Sequence, residues 1–217
     1  MTPIACVIFD LDGVLVDSEI WWDEVRQAFA AQHDRTWTAA DREAVMGANS
    51  AAWARIMRER LDLDMPEAEI EHVIVDAVVE RYRADGPPLI DGAVEAVRRI
   101  AGTYPVAVAS SAHRAVIDAA LEATDLAGTF EVVVSSDEVA HGKPAPDVYL
   151  EAARRLGCDP AGCLVAEDSL NGVRAAKAAG MTVVLIPNHS VPPAPGTAEL
   201  ADLVVDRLAD LDPASIA

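Results

Sequence analysis

Six short runs rich in apolar and β-branched residues recur along the chain and predict strands. They are Ile4–Phe9, Pro105–Ser110, Glu131–Ser135, Cys163–Ala166, Thr182–Ile186 and Asp202–Asp206. Several runs are apolar at nearly every position, which is typical of strands covered on both faces. Alanine-rich segments with helical spacing lie between them, namely Gly92–Ala101, Arg114–Ala123, Asp147–Leu156 and Asn171–Ala179. This alternation predicts an α/β fold with a doubly wound, Rossmann-like core and a mostly parallel sheet.

One connection breaks the alternation. Between Val14 and Pro88 the pattern is helical throughout, with Pro66 placed to open one helix. The stretch is far longer than the usual βα loop of about 2–6 residues. The sequence therefore predicts an all-helical cap domain at residues 15–86, inserted into a catalytic core built from residues 1–14 and 87–217. The proline-rich segment Pro187–Gly196 is predicted to be a surface loop.

The acidic composition narrows the possible partners. Lys and Arg number 17 against 36 Asp and Glu, a formal net charge of −19. Such a chain repels phosphate backbones and anionic lipid, so neither nucleic acid nor a membrane is expected as a partner. Three widely spaced cysteines, with no signal peptide and no apolar run of about 20 residues, predict a soluble cytoplasmic protein. Nothing in the sequence requires more than a monomer.

Several common motifs are absent. No two of the twelve glycines stand two apart, so there is no dinucleotide-binding fingerprint. The one pair five apart, Gly157 and Gly162, is followed by cysteine rather than by the lysine of a Walker A loop. No Gly-x-Ser-x-Gly elbow is present either. Hydride transfer, P-loop nucleotide hydrolysis and α/β-hydrolase chemistry therefore lack their usual sequence support.

Two carboxylates, Asp10 and Asp12, close the first predicted strand. At positions i and i+2 they point to one side at the carboxyl end of a buried strand, where open α/β sheets bind ligands. A single Asp-Gly pair would simply reverse the chain. Two like charges this close are costly unless a cation joins them, which favours a cation or ligand site.

Polar side chains also follow three later predicted strands. Ser110 and Ser111 precede a helix, where they either cap it or form an anion cradle with its N-terminus. Lys143, one of only two lysines, is either a solvated surface residue or a point charge for a phosphoryl oxygen. Glu167 and Asp168 form either a solvated turn or hard oxygen ligands for Mg²⁺. Because these strand ends converge on one crevice, their joint occurrence predicts a single site.

In these motifs the sequence resembles the haloacid-dehalogenase superfamily, in the branch with a helical cap after the first strand. The motifs are D-L-D-G-V-L-V-D-S-E from Asp10, Ser110, G-K-P-A-P-D from Gly142, and E-D-S-L-N-G-V-R-A-A-K-A-A-G-M from Glu167. Their order and spacing agree over essentially the whole chain, whereas the cap matches loosely. The resemblance implies an Mg²⁺-dependent phosphatase that acts on a small phosphorylated metabolite, a sugar phosphate, through an aspartyl-phosphate.

The resemblance also implies two catalytic residues. Asp10 would be the nucleophile. Asp12 would protonate the leaving alcohol and later deprotonate the hydrolytic water, and the neighbouring carboxylate is expected to raise its pKa. In this superfamily an acid at position 12 implies an oxygen leaving group, hence a phosphate ester rather than a halide or a phosphonate.

Further positions would bind phosphate and metal. The Ser110 hydroxyl, the Ser111 amide and the Lys143 ammonium would hold the phosphoryl oxygens. The metal ligands implied by the resemblance are Asp10, the carbonyl of Asp12, Asp168 and Glu167, the last directly or through water.

The residues of the cap help to decide whether the chain is a phosphatase or a mutase. A β-phosphoglucomutase-type mutase must hold a bisphosphate and needs a second cationic site there. Trp22 and Gly47-Ala48-Asn49-Ser50 provide no cation at the places where the mutases have a histidine and an arginine. This favours hydrolysis, with the mutase as alternative because Arg26, Arg42 or Arg55 can still reach inward. A receiver-like phosphorylation switch is more distant, since its phosphorylated aspartate lies on a later strand.

The tryptophans of the cap allow two interpretations. Trp21, Trp22 and Trp53 either line the mouth of the site or form the apolar core of the helical bundle, and burial is the commoner fate of tryptophan. We predict that Trp22 and Asn49 bind substrate and set specificity.

Overall fold

The computed structural model describes residues 3–46 and 48–216. The strands are β1 (Cys6–Phe9), β2 (Val106–Ser110), β3 (Val132–Ser135), β4 (Cys163–Glu167), β5 (Thr182–Leu185) and β6 (Leu203–Val204). The helices are α1 (Glu19–Gln32), α2 (Ala39–Val45), α3 (Ser50–Leu61), α4 (Glu67–Asp85), α5 (Ala93–Ala101), α6 (Arg114–Ala123), α7 (Asp147–Leu156), α8 (Leu170–Ala178) and α9 (Thr197–Leu200).

The six strands form one parallel sheet in the order β3-β2-β1-β4-β5-β6. Ile8 of β1 lies between Ala107 of β2 and Val165 of β4. The chain builds the sheet outward from β1 in both directions, so the order reverses beside β1. In such sheets ligands bind at this switch point, outside the carboxyl ends of the strands. The predicted doubly wound, Rossmann-like core is confirmed.

Both faces of the sheet are buried. Along β1, Val7 and Phe9 belong to one apolar cluster, while Cys6 and Ile8 belong to a second cluster on the opposite face. Helices α5 and α6 supply residues to the first cluster, and α7 and α8 supply residues to the second. Strands covered in this way need no polar face, which explains why the runs that predicted them are apolar at nearly every position.

Helices α1 to α4 form the predicted helical insertion between β1 and α5. Helix α4 packs against α1 and α3 and also against α6 of the core. The two connections between insertion and core run side by side, because Val16 pairs with Leu89 and the Asp17 amide donates to the Pro88 carbonyl at 2.7 Å. The boundaries at residues 15 and 86 stay a prediction.

The differences from the predicted elements are small and lie at their ends. The last strand is Leu203–Val204 instead of Asp202–Asp206, and it is half-exposed because it has a neighbour on one side only. Pro187–Gly196 forms the predicted loop, which ends in a turn at residues 195–196.

All three cysteines are free thiols, including Cys6 and Cys163, whose sulfur atoms are 3.2 Å apart. None of the described helices is long and apolar enough to cross a membrane.

Candidate active site

The predicted site residues of the core come together at the carboxyl ends of three adjacent strands. Asp10 follows β1, Ser110 ends β2 and Glu167 ends β4. A cavity of about 320 Å³ opens above these strand ends, between the core and the helical cap. The residues that line it include Asp10, Asp12, Glu19, Trp22, Arg26, Trp53, Ser110, Ser111, Lys143 and Asp168. The size is at the lower end of the range for small-molecule sites.

Lys143 reaches this cavity from the loop before α7. Its Nζ lies 2.7 Å from Oδ1 of Asp10 and 2.7 Å from Oε1 of Glu167, over the ring of Tyr149. Its side chain is 3% exposed. The interpretation of Lys143 as a solvated surface residue is therefore wrong, and the lysine is a buried cation held between two carboxylates.

The Glu167 carboxylate is saturated with hydrogen bonds. Oε1 accepts from Lys143 and from the Tyr149 hydroxyl at 2.9 Å, while Oε2 accepts from the Asp168 amide and from the amide and hydroxyl of Ser169. Gly172 of α8 makes room for it, since a Cβ there would lie 1.5 Å from Oε1. Direct metal ligation by Glu167 would therefore break existing bonds, and the residue anchors Lys143.

Burial and charge shift the pKa values of these groups in different directions. Burial, together with repulsion from Glu167 and Asp12, raises the pKa of Asp10 to about 7 against the attraction of Lys143. Burial and the charges of Glu167 and Asp10 raise the pKa of Asp168 well above its usual range. Burial alone would raise the pKa of Glu167, but Lys143 and its other donors outweigh burial and lower it.

These carboxylates fit a divalent metal ion. One oxygen from each of Asp10, Glu167 and Asp168 lies within 4.8 Å of the others, and Lys143 alone cannot neutralise them. A Cβ at Gly13 would lie 2.0 Å from Oδ2 of Asp168, so glycine keeps that carboxylate in place. Burial first, and then the charges of neighbouring carboxylates, raise the pKa values of Asp10 and Asp168. A hard cation with oxygen ligands stabilises the charged forms of such groups.

Asp12 lies beside this cluster and accepts hydrogen bonds from two serines. The Ser18 hydroxyl donates to Oδ1, and the Ser110 hydroxyl lies 3.5 Å from Oδ2. The pKa of Asp12 is raised, as the sequence predicted. The predicted cause is wrong, however, because burial raises the pKa and the hydrogen bonds oppose it.

Ser110 and Ser111 do not cap the helix that follows them. The N-cap of α6 is His113, whose Nδ1 accepts from the Ala115 amide. Ser110 is buried, and its Oγ accepts from the Ala112 amide at 3.0 Å. The capping interpretation of Ser110 and Ser111 is therefore wrong, and the anion cradle stays a prediction.

The cap tryptophans divide into two groups. Trp22 and Trp53 are buried, pack edge to face with ring centroids 6.2 Å apart, and both line the cavity. Trp22 and Trp53 therefore belong both to the apolar core of the cap and to the wall of the cavity. Trp21 points elsewhere, against Tyr82 and Arg81.

Asn49, Arg42 and Arg55 do not line the main cavity, whereas Arg26 does. Asn49 is the N-cap of α3, with its Oδ1 accepting from the Ala52 amide, and it borders a smaller neighbouring cleft. Gly47 lies outside the described residues. Of the three cap arginines that sequence reasoning considered, Arg26 lines the cavity, Arg42 pairs with Asp23 at 3.1 Å, and Arg55 is exposed.

Sequence reasoning missed several lining residues. Glu19 faces the cavity from α1, and burial, with the charge of Asp12, raises its pKa to about 7. The predicted surface loop also lines the cavity, through residues 191–194. Asp17 ties this loop to the start of the cap through Asn188 at 3.1 Å and through Ser190. A loop defined only by its prolines carries no sequence signal for such a role.

Comparisons with known proteins agree with this architecture. The family model of haloacid dehalogenase-like hydrolases matches residues 4–180. Fructose-1-phosphate phosphatase YqaB of Escherichia coli (strain K12) is 32% identical over 190 residues, covering 83% of this chain and 95% of that protein. The crystal structure of CbbY from Rhodobacter sphaeroides in complex with phosphate has a TM-score of 0.80 and 27% identity, with 96% of both chains covered.

A further relative is larger. The bifunctional riboflavin kinase/FMN phosphatase of Arabidopsis thaliana is 31% identical over 219 residues. The match covers 95% of this chain but 54% of that protein, so the chain spans about half of its length.

Proposed function

This chain belongs to the haloacid dehalogenase-like hydrolases and is a phosphatase of that family, and we propose that it hydrolyses a small phosphate monoester, a sugar phosphate, through a phosphorylated Asp10. The observation that carries the proposal is the buried contact of Asp10 with Lys143, with Asp12 beside it in one cavity. The similarity to a fructose-1-phosphate phosphatase supports a sugar phosphate as substrate. The soluble, cytoplasmic and monomeric state stays a prediction.

The substrate phosphoryl group binds at the strand ends. The Ser110 hydroxyl, the Ser111 amide and Lys143 offer donors to its oxygens. Asp10, Asp168 and the carbonyl of Asp12 would hold Mg²⁺, which, when bound, supplies neutralisation of the charge on the nucleophile and on the phosphoryl group. In this arrangement Glu167 fixes Lys143 and contacts the ion at most through water.

Catalysis then takes two displacements at phosphorus. A carboxylate oxygen of Asp10 attacks phosphorus in line, the ester P–O bond breaks, and Asp12 gives its proton to the leaving oxygen. Asp12 next takes a proton from water, which attacks phosphorus and releases Asp10 and inorganic phosphate. The Ser18 hydroxyl holds the Asp12 carboxyl in position for both steps.

A phosphate-release screen tests the proposal. Hexose, pentose, polyol and nucleotide monophosphates are incubated with the enzyme and Mg²⁺, with Asp10→Asn and EDTA-treated enzyme as controls. We expect many turnovers per chain on at least one sugar or polyol phosphate, and a loss on the order of 10⁴-fold or more in Asp10→Asn. Phosphate release that survives this substitution would refute the nucleophile. Release of about one phosphate per chain would instead support a receiver-like switch.

A mutase is the second candidate, and the position of Arg26 in the cavity favours it. A mutase returns the phosphoryl group to another oxygen of the sugar, so ³¹P NMR of a hexose 1-phosphate with a trace of the bisphosphate would show a 6-phosphate rather than inorganic phosphate. For a phosphatase we expect only inorganic phosphate.

A further inference from the structure

Arg26 is a buried cation on the wall of the cavity. It lies on α1 seven residues after Glu19 and four after Trp22, a spacing that places the three side chains on one face of the helix. All three line the cavity. The Arg26 residue is 7% exposed.

The guanidinium is held by aromatic rings rather than by an acid. Its central carbon lies 5.0 Å from the centroid of the Trp22 ring and 5.5 Å from that of Trp53. Its buried Nε has no hydrogen-bond partner among the described residues. Glu19, Asp23 and Asp12 act on it only through their charges at a distance, and burial lowers its pKa to about 10, so it remains a cation at neutral pH.

Other cap arginines behave differently. Arg42 pairs with Asp23, Arg58 with Glu67 and Arg60 with Asp41, and each of these three arginines is more than two-fifths exposed. Burying an unpaired cation is costly, and a carboxylate normally accompanies it. Arg26 is thus a desolvated donor group whose partner the described protein does not provide.

The cavity offers no other uncommitted cation. Among its described lining residues, the only other cation is Lys143, which Asp10 and Glu167 already hold. A guanidinium has only donors, and its planar fork matches the two oxygens of a carboxylate or a phosphate.

We propose that Arg26 binds a second anionic group of the substrate, a carboxylate or a phosphate on a short chain at the end remote from the scissile phosphate. This inference rests on the proposed phosphatase function and names its substrate class. Trp22 and Trp53 hold the guanidinium in the wall of the cavity, while Lys143 and the serines bind the reacting phosphoryl group. A phosphate ester with such an anionic group should therefore bind better than an ester of the same length with a hydroxyl in its place.

Matched pairs of esters test the proposal. Glycerol 3-phosphate and 3-phosphoglycerate have the same length and differ in a terminal alcohol or carboxylate, as do sorbitol 6-phosphate and 6-phosphogluconate. Glucose 1-phosphate and glucose 1,6-bisphosphate compare a free hydroxyl with a phosphate. Dissociation constants come from calorimetry with the Asp10→Asn variant, and kcat/KM comes from phosphate release by enzyme with Asp10 intact.

We expect the acidic member of at least one pair to be preferred. Arg26→Met, which keeps the length without the charge, should weaken binding and kcat/KM for that acid roughly 10- to 100-fold and change its alcohol much less. Replacement of a buried ion by an apolar side chain of similar size is usually tolerated, and circular dichroism checks the fold. Arg26→Lys, which keeps the charge, should retain part of the preference.

Two results overturn the inference. One is equal or better binding of the alcohol in every pair, and the other is an equal loss for acid and alcohol in Arg26→Met. If no ester is hydrolysed, or if Asp10→Asn stays active, the proposed function fails instead, and the binding constants still decide the role of Arg26.

Discussion

Lys143 and Asp10 form a buried ion pair, with Nζ 2.7 Å from Oδ1 although 133 residues separate them in the chain. Glu167 fixes the same ammonium from the other side at 2.7 Å. Burial alone would lower the pKa of Lys143, but the charges of Asp10 and Glu167 outweigh burial. The pKa of Lys143 is therefore raised well above its usual range. The lysine therefore stays charged and holds the proposed nucleophile at the end of β1.

Removing the charge of Lys143 should damage both stability and activity. Lys143→Met leaves Asp10 and Glu167 buried without a cation, which typically costs about 3–5 kcal/mol in the free energy of unfolding. The only other lysine, Lys177, forms a partly exposed pair with Asp202, so Lys177→Met is a matched control with an expected cost below about 1 kcal/mol. Urea unfolding and phosphate release measure both variants, and equal losses would contradict the assigned role.

Gly172→Ala should displace Glu167. The new Cβ would lie 1.5 Å from Oε1, 1.8 Å from Cδ and 2.3 Å from Oε2 of Glu167. Because overpacking here also breaks hydrogen bonds, we expect a loss of about 3 kcal/mol in the free energy of unfolding and a large loss of activity. Gly128→Ala meets nothing within 4 Å and should change neither. A fully active Gly172→Ala enzyme would show that Glu167 does not need its present position.

Asp12→Asn should discriminate between leaving groups. A sugar alkoxide needs a proton in order to leave, whereas p-nitrophenolate leaves without one. General acid catalysis is worth about 10²- to 10⁴-fold, so kcat/KM for the best sugar phosphate should fall by that factor, and kcat/KM for p-nitrophenyl phosphate by much less. A similar loss on both esters would argue against Asp12 as the acid of the first step.

Asp41 should contribute stability that depends on pH. It closes a capping box at the start of α2, where its Oδ2 accepts from the amide and hydroxyl of Thr38, and it pairs with Arg60. These contacts, the Thr38 hydroxyl first, hold its pKa below the ordinary value of 3.8. A lowered pKa stabilises the fold above that value, and the contribution is lost as the pH falls through the pKa of the folded protein.

Asp41→Asn should therefore lower the free energy of unfolding by about 1 kcal/mol at pH 7, and Thr38→Ala by a similar amount. The difference between wild type and Asp41→Asn should shrink below about pH 4. Urea unfolding at pH 7 and pH 3 measures it, and a difference that persists at pH 3 would point to packing rather than charge.

The sequence alone was sufficient to predict the sheet and the edge at which its polar residues gather. Strands covered on both faces are apolar at nearly every position, and this signal is local, so the six strands are recognisable without tertiary information. The polar residues that end β1, β2 and β4 must meet because parallel strands place their carboxyl ends at one edge. Asp10, Ser110 and Glu167 follow from that rule.

Contacts between distant elements were decided by the tertiary structure. Whether Lys143 is a surface residue or a buried one depends on Glu167, which lies 24 residues away in sequence. The sequence motif likewise does not show that Gly172 leaves space for the Glu167 carboxylate. Sequence reasoning attributed the raised pKa of Asp12 to a neighbouring charge, whereas burial under the cap is the cause.

The cap shows the same limit most clearly. Helical spacing identifies the helices of the cap. It does not show whether an arginine is buried or exposed, so Arg26, Arg42 and Arg55 were equal candidates to face the site. The contact of Trp22 on α1 with Trp53 on α3 places Arg26 beside both rings at the cavity, while Asn49 is a helix cap. Local patterns thus determine the elements and the edge at which chemistry occurs, while burial and long-range contacts determine which side chains are available for it.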